Sequence, residues 1–259
     1  GRVRKLRRHF DHLLALFPFE PALFEAAGLA CTFVGHPVAE GDVDDGDGAA
    51  FRARHGIAAD ATLMCLLPGS RRGAVSRLLP VAHDALARVM PDNLDLVLVL
   101  PAAANVRRDV EEAVEGWPWT VKVVDGASER YDAFAAGDLA LATSGTVTLE
   151  LSQAGVPTVV MYRVGWLTGH IARRMIRIDH ASIVNIVANR EVLPEFLQPR
   201  CRPELIAAEL NAMLADSARR EAVGAHAQSI ALDIGGGDER PGARAARAVL
   251  EIVEAAQSR

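Results

Sequence analysis

From residue 62 onward the chain alternates short apolar runs with longer stretches of helical spacing, and this alternation restricts the fold more than any other feature. The apolar runs lie at 62–67, 94–100, 120–124, 139–143 and 158–161, and helical spacing occupies 75–90, 106–115, 131–136 and 146–154. Strands that are apolar along their whole length need cover on both faces, as in a parallel sheet flanked by helices. At Ala154-Gly155-Val156-Pro157 the glycine suits a helix end and the proline the first position of a strand. A short apolar run at 182–184 precedes helical stretches at 203–215, 218–232 and 240–256. The expected fold class is α/β, a Rossmann-like doubly wound parallel sheet finished by helices.

Ahead of this pattern stands a smaller piece. Residues 12–17 form an apolar run ended by Pro18, 19–27 have helical spacing stopped by Gly28, and 31–34 are apolar again. Beyond Gly35-His36-Pro37 comes an acidic, glycine-rich stretch at 40–48 without periodicity. The expected organisation is the end of an amino-terminal domain at 1–36, a linker at 37–48 and a second domain at 49–259. The chain has 259 residues, enough for one large domain or one domain and part of another. It starts with Gly and its patterning begins almost at once, which suggests that further sequence precedes it.

Composition narrows the functions available. With 28 Lys and Arg against 33 Asp and Glu, the net charge of −5 provides no global field for a nucleic acid. The basic run at 2–8 lacks interleaved aromatics, so it reads as a solvated helix, and no nucleic-acid partner is expected. Cys31, Cys65 and Cys201 are odd in number and match no metal spacing, which fits buried thiols in a reducing compartment. No metal and no cofactor are expected. No apolar run approaches the ~18–20 residues of a membrane span, and a cytoplasmic location is expected.

Two strand-to-helix turns carry the chemistry. In Leu67-Pro68-Gly69-Ser70-Arg71-Arg72-Gly73 the glycines allow close backbone approach, the following helix offers free N–H groups, and Arg71 or Arg72 can fork onto phosphate oxygens. The spacing is neither the dinucleotide fingerprint nor the P-loop. In Thr143-Ser144-Gly145-Thr146 the hydroxyls can cap a helix or donate to phosphate. Glu150 falls one turn after Thr146 on the same face, where it could accept from a ribose diol. Each turn alone is matched by a bland reading, a tight turn with solvated arginines or an N-cap with a surface glutamate. Together on one sheet edge they point to a nucleoside diphosphate.

Phe17-Pro18-Phe19-Glu20-Pro21, Phe33-Val34-Gly35-His36-Pro37, Leu67-Pro68-Gly69-Ser70-Arg71-Arg72, Ser144-Gly145-Thr146-Val147-Thr148-Leu149-Glu150, Gly155-Val156-Pro157, Tyr162-Arg163 and Asn185-Ile186-Val187-Ala188-Asn189-Arg190-Glu191 occur in a characteristic order. In that order and approximate spacing they resemble the lipid-A-disaccharide synthases. The resemblance implies a GT-B inverting glycosyltransferase, with two Rossmann-like domains and most of the amino-terminal one missing here. Such an enzyme transfers 2,3-diacylglucosamine from UDP-2,3-diacylglucosamine to 2,3-diacylglucosamine 1-phosphate (lipid X), forming the β-1,6 disaccharide of lipid A and UDP. It further implies a Gram-negative bacterium and work at the cytoplasmic face of the inner membrane; whether the protein is a homodimer stays open.

Carried onto this chain, Gly69, Ser70 and Arg71 resemble the diphosphate-binding turn, Ser144, Gly145 and Thr146 the phosphate cradle, Glu150 the ribose contact and Asn185 an asparagine near the donor. The family's general base comes from the amino-terminal domain, so no catalytic residue is assigned, and the 259-residue chain alone is expected to be inactive. His36 reads as a structural hinge residue. Ala74 stands where the family pattern suggests an acidic residue, and Asn189 where it suggests Gly; Asn tolerates the left-handed conformation. Trp166, Arg173, Arg174 and Arg177 could meet an anionic lipid surface or the acyl chains, or belong to a helix packed on its own sheet. A UDP-sugar 2-epimerase of the same fold and a non-catalytic UDP-binding fragment remain as alternatives.

Overall fold

The computed structural model describes residues 2–89, 95–163, 180–237 and 239–257. A short helix α1 (Arg2–Leu6) leads into β1 (His12–Ala15), α2 (Glu20–Glu25) and β2 (Ala30–Phe33), and β1 pairs with β2 in parallel. Glu20 supports the first turn of α2, where its carboxylate accepts from the backbone N–H groups of Leu16 and Phe17 at 3.0 and 3.1 Å. The structure divides into two compact units, Gly1–Gly41 with Ser229–Arg259, and Asp42–Gln228.

The linear division expected from the sequence differs from this in two respects. The acidic stretch folds: 3-10 turns form at Pro37–Glu40 and Val43–Asp45, and Asp47 caps α3 (Gly48–His55) by accepting from the Ala50 N–H at 2.9 Å. The chain's last 31 residues, 229–259, belong with its first strands rather than with the large sheet. Gly35 accounts for part of that return. Its φ of +89° and the 2.4 Å that would separate a Cβ from the Gly235 carbonyl oxygen leave room for glycine alone. Next to it, the N–H of His36 donates to the Ile234 carbonyl at 3.1 Å, and its Nδ1 accepts from Val38 to open the 3-10 turn. His36 is therefore a cap, stacked on Phe17, and burial pushes its imidazole below the usual histidine range.

In the larger unit β3 (Thr62–Leu67), β4 (Leu96–Ala102), β5 (Thr120–Asp125), β6 (Leu139–Thr143), β7 (Thr158–Tyr162) and β8 (Glu195–Leu197) form one parallel sheet in the order β5-β4-β3-β6-β7-β8. The helices are α4 (Arg72–Val89), α5 (Arg107–Val114), α6 (Arg130–Ala135), α7 (Thr146–Gln153), α8 (Ile183–Ala188) and α9 (Pro203–Ala215). They are followed by α10 (Ser217–Gly235), which runs through the boundary at 228, and by α11 (Pro241–Gln257) in the smaller unit.

The alternation of side chains along a strand sorts the core into two layers. Met64 and Leu66 of β3 face Leu78, Leu79, Leu86, Ile206 and Leu210 of α4 and α9, whereas Leu63, Cys65 and Leu67 face Phe51, Ala133, Phe134 and Leu151 of α3, α6 and α7. Both faces are dry, which is why the strands read as unbroken apolar runs. Cys31, Cys65 and Cys201 are buried free thiols; Cys65 donates to the Ala133 carbonyl, and burial pushes its thiol up to about 12. The run at 182–184 opens α8, with Ser182 as its cap. Trp166, Arg173, Arg174 and Arg177 lie outside the described residues.

Phe51 is fully buried and belongs to a helix whose other side chains are mostly exposed, so it anchors α3 to the sheet. Phe51→Ala is expected to destabilise the larger unit by about 3–5 kcal/mol, measured by urea denaturation.

Candidate functional site

Strand order places the site. β3 pairs with β4 on one side and β6 on the other: the chain winds outward through β4 and β5 and then crosses back to β6, and this reversal opens a crevice at the carboxyl ends of β3 and β6. The turns after β3 and β6 meet there. Gly69, at φ +111°, lies so near the second turn that a Cβ would come within 3.2 Å of both Ala74 Cβ and Thr143 Cγ2. Asn105 braces the first turn by donating its side-chain N–H to the Ser70 carbonyl at 2.8 Å.

The two arginines of the first turn part ways. Arg72 pairs with Asp109 at 3.0 Å, while the exposed Arg71 has no ion-pair partner among the described residues and lines the crevice. The second turn begins α7 at Gly145, where no side chain caps the helix and a Cβ would meet nothing within 4 Å. The Thr148 N–H turns back to the Gly145 carbonyl at 3.2 Å, and Gly145, Thr146 and Val147 bring the positive end of the helix dipole to the cavity wall.

Ser144 does something else than expected. Its hydroxyl donates to the Ala181 carbonyl at 2.7 Å, so its proton is committed and the oxygen is left as an acceptor. In this arrangement the Ser144 hydroxyl does not cap α7, and Thr146 lines the cavity beside it.

Around these turns lies a cavity of about 470 Å³, within the range of small-molecule sites. Gly69, Ser70, Arg71, Ser144, Gly145, Thr146 and Glu150 all line it. Leu100, Pro101, Ala103, Val110 and Val147 add an apolar wall, and Arg130 and Tyr162 complete the polar side. Glu150 is only 9% exposed and sits 3.3 Å from Arg130 Nη2; burial pushes its carboxyl up and Arg130 pulls it partly back.

Asn185 is not among the lining residues. It is fully buried, its Oδ1 accepts from the Val192 and Leu193 N–H groups at 2.8 and 2.9 Å, and its Nδ2 donates to the Leu193 carbonyl at 2.7 Å. These bonds close the loop between α8 and β8 and give Asn185 a structural role there. Asn189 adopts φ +51° at the end of α8, the conformation expected for its replacement of glycine.

Arg130 and Asn105 were missed because each acts across a distance in sequence. The signal for Arg130 was a third glycine-bearing strand-to-helix turn, Asp125-Gly126-Ala127-Ser128-Glu129-Arg130, of the same type as the two singled out. Among the described residues no group of three or more His, Cys, Asp or Glu could hold a metal ion, and no helix is long and apolar enough to cross a membrane.

This fold and crevice define a class. Sucrose-phosphate synthase from Thermosynechococcus elongatus superposes with a TM-score of 0.57 at 15% identity over 100% of this chain and 62% of that one. Anabaena HepE, solved with UDP and glucose, gives 0.57 at 16% identity, covering 98% of this chain and 66% of that one. Acinetobacter baumannii MurG gives 0.54 at 15% identity over 87% of this chain and 58% of that one. The fold is thus that of the GT-B glycosyltransferases.

A sequence profile for lipid-A-disaccharide synthetase matches residues 1–246. Lipid-A-disaccharide synthases of Rhodospirillum centenum and Ruegeria pomeroyi are each 46% identical to it, over 98% and 97% of the chain. The chain belongs to the lipid-A-disaccharide synthase family. It spans 63% and 64% of the length of those two relatives.

Because Asn185 satisfies two buried N–H groups and one carbonyl, Asn185→Ala is expected to cost on the order of 3 kcal/mol in thermal or urea unfolding. Asn185→Asp keeps an oxygen for the Val192 and Leu193 N–H groups but sets its second oxygen against the Leu193 carbonyl, so it is expected to destabilise as well, and more strongly as pH rises and the buried carboxyl ionises.

Proposed function

We propose that the cavity binds the UDP portion of UDP-2,3-diacylglucosamine, and that the protein to which this chain belongs transfers the diacylated sugar to lipid X with inversion at the anomeric carbon. The observation that carries this reading is Arg71, an arginine without an ion pair among the described residues, beside the uncapped start of α7 in one cavity. As the anomeric C–O bond breaks, its electron pair moves to the β-phosphate oxygen and the leaving UDP gains charge. Fixed N–H donors and a guanidinium that meet this charge lower the barrier without a metal. Thr146 adds a hydroxyl donor. Glu150 accepts from the ribose, and the apolar wall formed by Leu100, Ala103 and Val110 takes the base.

The acceptor's 6-hydroxyl attacks from the opposite face, and its proton passes to a base that we assign to no residue of this chain. In this reading the unit Asp42–Gln228 is the donor-binding part, and residues 1–36 are the end of the acceptor side. Acylated substrates suit work at the cytoplasmic face of the inner membrane, and in this reading Trp166, Arg173, Arg174 and Arg177 contribute to lipid contact. The family match supports this function over a 2-epimerase, which would need no acceptor.

Isothermal titration of the chain with UDP is expected to show binding that Arg71→Ala weakens about tenfold or more. In the full-length enzyme the same change is expected to lower kcat by about 100-fold. Near-normal transfer by Arg71→Ala would remove the basis for the assignment. The 259-residue chain alone is expected to form no disaccharide when supplied with both substrates, assayed by product chromatography. Replacing Arg173, Arg174 and Arg177 together is expected to reduce co-sedimentation with anionic liposomes.

A further inference from the structure

Arg130 belongs to neither of the two glycine turns, yet it reaches the same cavity from the first position of α6. Its Nη2 lies 3.3 Å from Glu150 Oε1 and donates to the Tyr131 hydroxyl at 3.2 Å, while the guanidinium carbon sits 4.8 Å from the centre of the Tyr131 ring. The guanidinium is thus held by stacking and by two polar contacts, and its Nε is buried without a hydrogen-bond partner among the described residues. Such a group is a fixed cation, unlike a freely rotating surface arginine.

Its partner is enclosed. The Glu150 side chain is 11% exposed, and a carboxylate stripped of water stays ionised when an opposite charge lies at contact distance. Of the elements packed against α7, β6 and α8 bring no ionisable side chain, β7 brings Tyr162, and the 3-10 turn Val43–Asp45 brings Asp44 and Asp45. Arg71 shares the cavity. Arg130 is the cation paired with Glu150.

We propose that Arg130 is a positioning residue for nucleotide recognition: it holds the Glu150 carboxylate ionised and aimed, so that the carboxylate can accept from both hydroxyls of a vicinal diol. This inference rests on the nucleotide reading above. An ionised carboxylate is an acceptor at both oxygens and suits two donors, whereas a protonated one must spend an oxygen on its own proton. Arg130 acts through Glu150, not on the ribose itself.

The sign of the pH dependence follows. Burial pushes the Glu150 carboxyl up and Arg130 opposes this, so removing Arg130 raises it further. Binding that needs the ionised form is complete above that value and is lost as pH falls through it. Without Arg130 the loss must begin at a higher pH.

The test is calorimetric titration of the chain with UDP and with 2′-deoxy-UDP between about pH 5 and pH 8, using wild type, Arg130→Met and Arg130→Lys. Wild type is expected to prefer UDP about tenfold, the value of one charged hydrogen bond. Arg130→Met is expected to shrink that preference to about twofold or less and to move the acid loss of UDP binding to higher pH. Arg130→Lys, which keeps the charge, is expected to retain most of the preference and the wild-type profile. If Arg130→Met weakens both ligands equally, or leaves preference and profile unchanged, the role assigned to Arg130 is wrong while the nucleotide reading stands. Should wild type bind no UDP, the nucleotide reading fails and this inference with it.

Discussion

The contact on which the site depends is the approach of the turn after β3 to the turn after β6. Parallel pairing of Leu67 with Ala142 brings the two strand ends level, and the missing side chain of Gly69 lets the first turn settle beside Thr143. A helix start can supply N–H donors almost anywhere, but it becomes an anion site only when a second source of positive charge faces the same space. Arg71 lines the same cavity as the start of α7 and is the charge that the proposed site would use. Asn105 makes the arrangement stiffer by fixing the carbonyl of Ser70.

Charge in the cavity is distributed by what each group has left to offer. Arg72 is neutralised by Asp109, whereas Arg71 keeps its full donor capacity. Glu150 pays a desolvation penalty that Arg130 partly offsets. Behind the rim, Glu195 accepts from the N–H groups of Ala181 and Ser182 at 2.9 and 2.6 Å, and Ala181 in turn accepts from Ser144. Residues distant from the ligand space therefore determine how its walls are polarised, an effect of buried hydrogen-bond chains in a poorly screening interior.

Much of this could be read from the chain itself. The boundaries of β3 and β6 coincide with the apolar runs at 62–67 and 139–143, because a strand dry on both faces tolerates no polar interruption. The turns at Gly69 and Gly145 were recognisable for the same local reason: glycine and hydroxyl residues at a strand-to-helix junction. What was hidden depended on pairs remote in sequence. Arg130 and Glu150 are 20 positions apart on different helices, and the three bonds that occupy Asn185 involve residues seven or eight positions away in an irregular loop. β8 escaped notice because three residues carry no periodicity, and nothing local marks residues 229–259 as partners of the first strands.

The committed proton of Ser144 has a consequence for how a diphosphate would lie. An oxygen that can only accept presents lone pairs to the cavity, and phosphate oxygens present lone pairs as well. The two repel. In the complex proposed above, the negative groups of a diphosphate would be pushed along the turn, away from Ser144 and towards Thr146 and the N–H groups of α7, so exclusion at one position would set the register as much as attraction at the next.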